Sequence, residues 1–518
     1  MRAAPLFIAL ILMTLAAPAN AQTPGPFASA TEQQQAMTEG RTSAQVLTRA
    51  YLARIARLNR QGPRLNAVIA VNPRALAEAR ALDAERKAGR VRGPLHGLTV
   101  LIKDNIEIDD GLPTTAGSLA LIDNVTGRDA PVVARLRAAG VVILGRANLS
   151  EWANFRSTRS LSGWSAVGGM TRNPHSLDRT ACGSSSGSGA GVAAGLAALA
   201  VGTETDGSVT CPAAMTGIVG LKPTVGLVSR DRIVPISPAQ DTAGPMTRSV
   251  ADAALLLNAI AGSDPADAAT AEADSRKTDF TQGLATASLK GQRIGLLKRA
   301  VGNHPGVRRV FEQAVADLKA AGAEIVEIDF QPDPSMGRDE GYVLRYELRR
   351  DMKAYLESLP GTGLPRSLTE LIEFNQANAD KELRWFGQDT FIAADKLTDA
   401  EAYARARANS LKLAGELGID KLLADHKVSL LIAPTGGPAW STDLVTGDRF
   451  LGIGAGSLAA IAGYPHLTVP MGAIEGLPLG LSFMGGKWTD HAVLQAGAAF
   501  ERARTASLPR PSFKRWGE

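Results

Sequence analysis

From Cys182 to Val201 the chain runs through glycine, serine, alanine and short aliphatic residues without a single charge. A stretch so poor in side chain and so free of charge belongs inside a large protein rather than on its surface. Its second part, Gly191 to Val201, reads as a small-residue helix that must be buried on most sides. Its first part, Cys182-Gly183-Ser184-Ser185-Ser186-Gly187-Ser188-Gly189, is a polar turn directly before that helix. Such a turn lets backbone N–H groups point into a cavity, as an anion or oxyanion site requires. A second polar turn, Gly202-Thr203-Glu204-Thr205-Asp206-Gly207-Ser208, follows and leads to Pro212.

The rest of the chain is long enough to enclose this segment. It has 518 residues, 45% hydrophobic and 21% charged, which excludes disorder, collagen-like repeats and a multi-span membrane protein. Thr42-Ser43 precede an amphipathic helix with Val46, Leu47, Tyr51, Leu52, Ile55 and Leu58 on one side. Leu98 to Ile102 and Val141 to Leu144 read as buried strands, with a helix over Ala130 to Ala139 between them. Residues 341–412 are dense in Arg, Glu, Asp and Leu at helical spacing and read as a helical insertion on the main body. Leu430 to Ala433 and His466 to Val469 return to strand patterns. The net charge of +5 is spread without a basic block, which argues against a nucleic-acid partner. Two cysteines make no disulfide framework, and six scattered histidines have no metal-ligand spacing, so no metal is expected. Cys182 and Cys211 each lie within three residues of a serine of interest; small buried thiols are the expectation, although export would permit a disulfide. His96 reads as a packed turn residue.

The N-terminus reads as a signal peptide. Met1-Arg2 supplies a positive start, Leu6 to Ala17 an apolar run, and Ala19-Asn20-Ala21 a small-x-small cleavage pattern. The run is too short to span a bilayer, which takes about 20 helical residues. Cleavage after Ala21 and a periplasmic or secreted mature protein, free of the membrane, are expected.

Two general motifs compete for the serine cluster. Gly183-Ser184-Ser185-Ser186-Gly187 fits the G-x-S-x-G nucleophile elbow, with Ser185 as nucleophile and His466 as its base. Gly189-x-Gly191-x-x-Ala194 fits a dinucleotide-binding turn. Both need a strong strand beforehand, whereas His175 to Ala181 is polar, and tight helix packing explains the same glycines.

A third reading covers more of the chain. Gly97 to Asn105 (GLTVLIKDN), the serine cluster, Gly202 to Ser208 and Gly220 to Arg230 (GLKPTVGLVSR) together resemble the amidase signature family. So do Asp241 to Val250, Ala433-Pro434-Thr435, Gly463 to Pro470 and Gly476 to Gly480, all in family order from about residue 40 to 505. Within the family the chain is most similar to bacterial peptide amidases, which remove the C-terminal amide from peptides. That closer likeness is carried by Asn148 to Arg156 (NLSEWANFR), CGSSSGS, GTETDGS and Ala239 to Met246.

The resemblance implies a single large α/β domain, a mixed central β-sheet covered by helices, over residues 61–510 after an N-terminal helical segment, 22–60. It implies that Lys103 is the catalytic base, Ser184 the bridging serine and Ser208 the nucleophile, with Ser185 the partner of Ser184 in a cis peptide. The oxyanion hole would be the backbone N–H groups of Thr205, Asp206, Gly207 and Ser208. No metal or cofactor is implied. Asn154, Phe155 and Trp164 are candidates for the substrate cleft or for core packing. Many family members carry glycine where this chain has Asp206, and a carboxylate there favours substrates bearing a positive group. Ser186 likewise replaces a common glycine. The expected activity is hydrolysis of peptide amides to free acid and ammonia. A broader aliphatic or aryl amidase and a transfer-RNA-dependent amidotransferase subunit remain as alternatives, and the oligomeric state is open.

Overall fold

The structure, a computed structural model, describes residues 24–518. The signal-peptide reading therefore lies outside the described residues. Eleven strands form one mixed sheet. In chain order they are β1 (Val68–Val71), β2 (Thr99–Lys103), β3 (Val142–Ala147), β4 (Leu199–Glu204), β5 (Val219–Lys222) and β6 (Thr242–Thr247). Then come β7 (Arg293–Leu297), β8 (Glu324–Ile328), β9 (Leu430–Pro434), β10 (His466–Ile474) and β11 (Leu477–Met484). Across the sheet the order is β1-β3-β2-β4-β6-β5-β10-β11-β9-β7-β8. β2 pairs in parallel with β3 on one side and β4 on the other, whereas β4, β6, β5, β10, β11 and β9 pair antiparallel in turn. β2, β3 and β4 are buried along their whole length, which is why they read as unbroken apolar runs rather than alternating ones.

Helices cover both sheet faces. The helix Ala44–Leu58 starts where Ser43 Oγ accepts the N–H of Val46 at 3.3 Å. Leu47, Tyr51, Ile55 and Leu58 are buried along it, but Val46 is 42% exposed and stands apart from the predicted stripe. Helix Pro131–Ala138 lies between β2 and β3 in the chain and makes the crossover that two parallel strands need. The stretch read as a helical insertion carries helices Pro334–Ser358, Leu368–Ala377, Asp389–Asp395 and Ala400–Ala414. The apolar faces of the first three, through Leu348, Met352, Leu371 and Phe391, join a second core with Leu121, Trp152 and Val234 of the main body.

The small-residue segment is partitioned differently from its sequence reading. Its helix is Ser186–Ala193, and the residues expected to continue it instead form β4. Gly195, at φ 67°, turns the chain out of the helix. The helix itself is buried at every residue. A Cβ on Gly191 would come within 2.8 Å of Leu101 Cδ1 in β2, so that glycine serves close packing, not a phosphate. A Cβ on Gly187 would collide with backbone atoms of Ala67 and Asn148, which have no side-chain freedom to yield. We expect Gly187→Ala to lower stability by about 3 kcal/mol or more, at the severe end of overpacking. Urea unfolding of the purified variant checks this.

Candidate active site

β2 delivers Lys103 into the interior at its last residue, where the side chain is fully buried. Its Nζ lies 2.7 Å from Ser184 Oγ, 2.8 Å from Thr203 Oγ1 and 3.1 Å from the Thr203 carbonyl. Burial pushes the amine down to about 7, with the carboxylates of Asp241 and Glu204 opposing the shift. A neutral amine has two N–H bonds and one lone pair. Given to the two Thr203 oxygens, the N–H bonds leave the lone pair facing the Ser184 hydroxyl. Asn105 Nδ2 also donates to Thr203 Oγ1, at 3.0 Å, and holds that oxygen in place. Asp104, adjacent in sequence, faces away: Arg146 lies 3.5 Å from its carboxylate, and Thr115 donates to it.

The two serine turns meet across β4. The Ser185 N–H donates to the Ser208 carbonyl at 3.0 Å, and the Ser150 N–H to the Ser184 carbonyl at 2.9 Å. The hydroxyls of Ser184 and Ser208 make no direct hydrogen bond here, so the two turns are joined by backbone. The cis peptide precedes Ser184: its partner is Gly183, not Ser185 as the resemblance implied. Ser185 Oγ is fully buried, donating to the Thr203 carbonyl at 3.0 Å and accepting the Thr203 N–H at 3.2 Å. The elbow reading fails on this point, because that hydroxyl is consumed inside the fold. His466, its supposed base, bonds Ser482 Oγ through Nε2 at 2.6 Å. Ser186 Oγ donates to the Cys182 carbonyl at 2.6 Å and closes the turn.

Cys182 and Cys211 are bonded as a disulfide, with Cα atoms 6.0 Å apart, against the expectation of free thiols. The cause is tertiary: bringing Ser184 beside the Ser208 turn also brings their flanking residues within bonding range.

In the second turn Gly207 takes φ 77°, and the N–H groups of Asp206, Gly207 and Ser208 find no acceptor among the described residues. Glu204, which sequence reasoning did not single out, supports the turn from below. Its Oε2 accepts the N–H groups of Val209 and Thr210 at 2.7 and 2.9 Å, at the start of helix Thr210–Thr216. Thr205 Oγ1 donates to Asp241 Oδ1 at 2.5 Å and ties the turn to the β6 side. Free N–H groups beside a serine hydroxyl, with a neutral amine behind, can stabilise an acyl-transfer oxyanion and move its proton.

Above these residues opens a cleft of about 730 Å³, within the range of small-ligand sites. Ser208, Thr205, Asp206, Gly207, Asn154 and Phe155 line it. Trp164 does not: it packs edge-on to Phe386 at 5.3 Å, under the Arg156 guanidinium, and belongs to the core. Trp440 and Phe450, packed at 4.6 Å, also line the cleft and were not predicted, since only the fold brings their loop there. His96 hydrogen-bonds the Leu82 carbonyl at 2.9 Å and is not among the residues that line the cleft.

The model of the amidase family matches residues 46–494. The chain is 38% identical to a probable amidase of Arabidopsis thaliana over 92% of this chain and 90% of that protein. It is 34% identical to a glutamyl-tRNA(Gln) amidotransferase subunit of Symbiobacterium thermophilum, over 92% and 97%. Among solved structures, the native peptide amidase of Stenotrophomonas maltophilia is 49% identical, with TM-score 0.90 over 94% of this chain and 98% of that one. On family match, sequence relatives and shared fold alike, this chain belongs to the amidase signature family and is an amide hydrolase.

Proposed function

We propose that the protein hydrolyses the C-terminal amide of peptides through an acyl-enzyme on Ser208, and that it does so outside the cytoplasm. The observation that carries the reaction is the buried Lys103 amine, brought down to about 7 and 2.7 Å from Ser184 Oγ. Ser208 Oγ attacks the amide carbon and passes its proton to Ser184, which gives its own to Lys103. This requires the two hydroxyls to close on each other when substrate fills the cleft, a tightening common between free and occupied sites. The Asp206, Gly207 and Ser208 N–H groups take the oxyanion, with Thr205 completing the loop. As the C–N bond breaks, the relay returns the proton and ammonia leaves. Water then attacks the ester by the same route and releases the acid. One amide and one water become one carboxylic acid and one ammonia.

The peptide specificity rests on the cleft and on the likeness to peptide amidases. Phe155, Phe330, Trp440 and Phe450 offer apolar walls suited to a peptide's side chains. We expect kcat/KM for an N-blocked dipeptide amide to exceed that for propionamide or free glutamine by about 100-fold or more, since remote binding drives the reacting group. Ammonia release across that panel is the measurement. Parity with propionamide would overturn the peptide reading, and a preference for glutamine would favour the amidotransferase-like one.

Export is supported by the Met1–Ala21 pattern and by the Cys182–Cys211 disulfide, a bond favoured in oxidising compartments. The mature chain should begin at Gln22 in the periplasmic fraction or medium. An intact N-terminus recovered from washed membranes would overturn this.

A further inference from the structure

Asp206 does not stand alone in the cleft. Its carboxyl is open to the solvent of the cleft and held from behind by Ser457, whose Oγ donates to Oδ2 at 2.7 Å. Glu340, from the helix Pro334–Ser358, lines the same cleft, and its carboxyl and that of Asp206 are near enough to shift each other's titration. Glu340 is oriented by Gln240, whose Nε2 donates both to Glu340 Oε1 at 3.0 Å and to the Thr205 carbonyl at 3.2 Å. Two segments more than a hundred residues apart thus place a carboxyl pair beside the oxyanion loop.

A second, independent feature lies in the same wall. His466 is 1% exposed and lines the cleft, and its Nδ1 has no hydrogen-bond partner among the described residues. It packs directly beneath Gly456, where a Cβ would stand 3.4 Å from Nδ1, next to the Ser457 that holds Asp206. Burial and the charge of Lys222 hold the imidazole down to about 3, so it is neutral. In the tautomer that gives Nε2–H to Ser482 Oγ, Nδ1 is an unpartnered acceptor.

Two arginines, Arg299 and Arg449, also line the cleft. Arg299 is paired with Asp329, and Arg449, at the cleft mouth, donates to Thr446. Lys222 is buried behind the wall with its Nζ on the Pro223 carbonyl. Desolvation in the crowded wall raises both carboxyls, with Glu204 adding to the shift at Asp206 and the Asp206 charge to that at Glu340, while a hydrogen bond from Glu340 favours ionised Asp206, so the pair carries net negative charge at neutral pH.

We infer that Asp206, Glu340, Ser457 and His466 form a cation subsite of the cleft, taking an ammonium or guanidinium carried by the acyl residue next to the scissile amide. The inference rests on the amide-hydrolase reading above and specifies its substrate. Asp206 lies two positions from Ser208 in a tight turn, which confines the charge to the residue bearing the amide. In a peptide amide that charge is a basic side chain; a free α-ammonium at this residue would make the substrate an amino-acid amide.

Binding to the inactive Ser208→Ala protein tests this separately from turnover. The probes are acetyl-lysinamide, acetyl-norleucinamide and norleucinamide, titrated calorimetrically at pH 7. Lysinamide and norleucinamide share an unbranched four-carbon side chain and differ in its terminal charge. We expect acetyl-lysinamide or norleucinamide to bind at least about fivefold more tightly than acetyl-norleucinamide, consistent with a partly desolvated charge contact. Whichever does so identifies the charge as side-chain or α-ammonium. Adding Glu340→Gln, or separately Asp206→Asn, should bring that ratio to near one, with folding checked by thermal melting. Equal binding of all three probes, no measurable binding, or a ratio unchanged in both carboxyl variants would overturn the subsite. The peptide-amide reading fails instead on the ammonia-release panel, with whatever binding ratio is measured here.

Discussion

Ser208→Ala should lower kcat/KM on peptide amides by at least about 10⁴-fold, because the proposed acyl-enzyme forms on its hydroxyl. The activity that remains is what the free N–H groups of the turn and substrate binding supply by themselves. Ser184→Ala should fall nearly as far, since Lys103 Nζ meets Ser184 and not Ser208. Ser185→Ala should keep far more activity than either. Its hydroxyl bonds only to Thr203 backbone groups, so its loss costs about 1 kcal/mol of stability per hydrogen bond and leaves the relay in place. Steady-state ammonia release from one peptide amide separates the three. A phosphonate-type serine probe should label Ser208. Labelling at Ser185, dependent on His466, would reinstate the elbow.

The second large effect is on pH. Lys103 must be neutral to accept a proton, and burial sets its titration at about 7, below the ordinary lysine value of 10.5. The neutral fraction, and with it the acylation rate, rises about tenfold per pH unit below that point and levels off above about pH 8. Between pH 5 and 8 kcat/KM should therefore climb by about 100-fold and then hold an alkaline plateau. Asp241 sets the fine position, because its carboxylate favours the charged amine, and its own titration is raised to about 6 by burial. Lys103→Met should remove most of the activity and the pH limb together. Lys103→Arg should be as poor, since guanidinium does not give up its proton in proteins. The shape of the limb should survive His96→Gln and His466→Gln. A bell near neutral pH that vanishes with either histidine would defeat the lysine assignment.

Much of this protein was legible from short stretches. The strand ending in Lys103 announces itself by an unbroken apolar run, because a strand covered on both faces has no solvent side to mark with polar residues. Helices Ala44–Leu58 and Pro131–Ala138 announce themselves by spacing, the first also by its serine cap. The polar turns around Ser184 and Ser208 stand out because glycine and serine crowd there beyond what a surface loop needs.

Other features needed the assembled fold. Small-residue composition does not tell a buried helix from a buried strand, so only the place of β4 between β2 and β6 decided where helix gave way to strand after Ser186. Val46 left the predicted stripe because its neighbours along the helix, not its own apolarity, set which face met the sheet. The Cys182–Cys211 bond, the turn of Asp104 toward Arg146, and Trp164 against Phe386 are contacts between segments whose meeting no local pattern encodes. The same holds for Glu340 beside Asp206, which the helical insertion alone brings into the cleft. Residue types and short-range periodicity determined which groups are available for the chemistry. The sheet order decided which of them share a site, because hydrogen-bonded strand neighbours, rather than sequence neighbours, stand within reach of one proton.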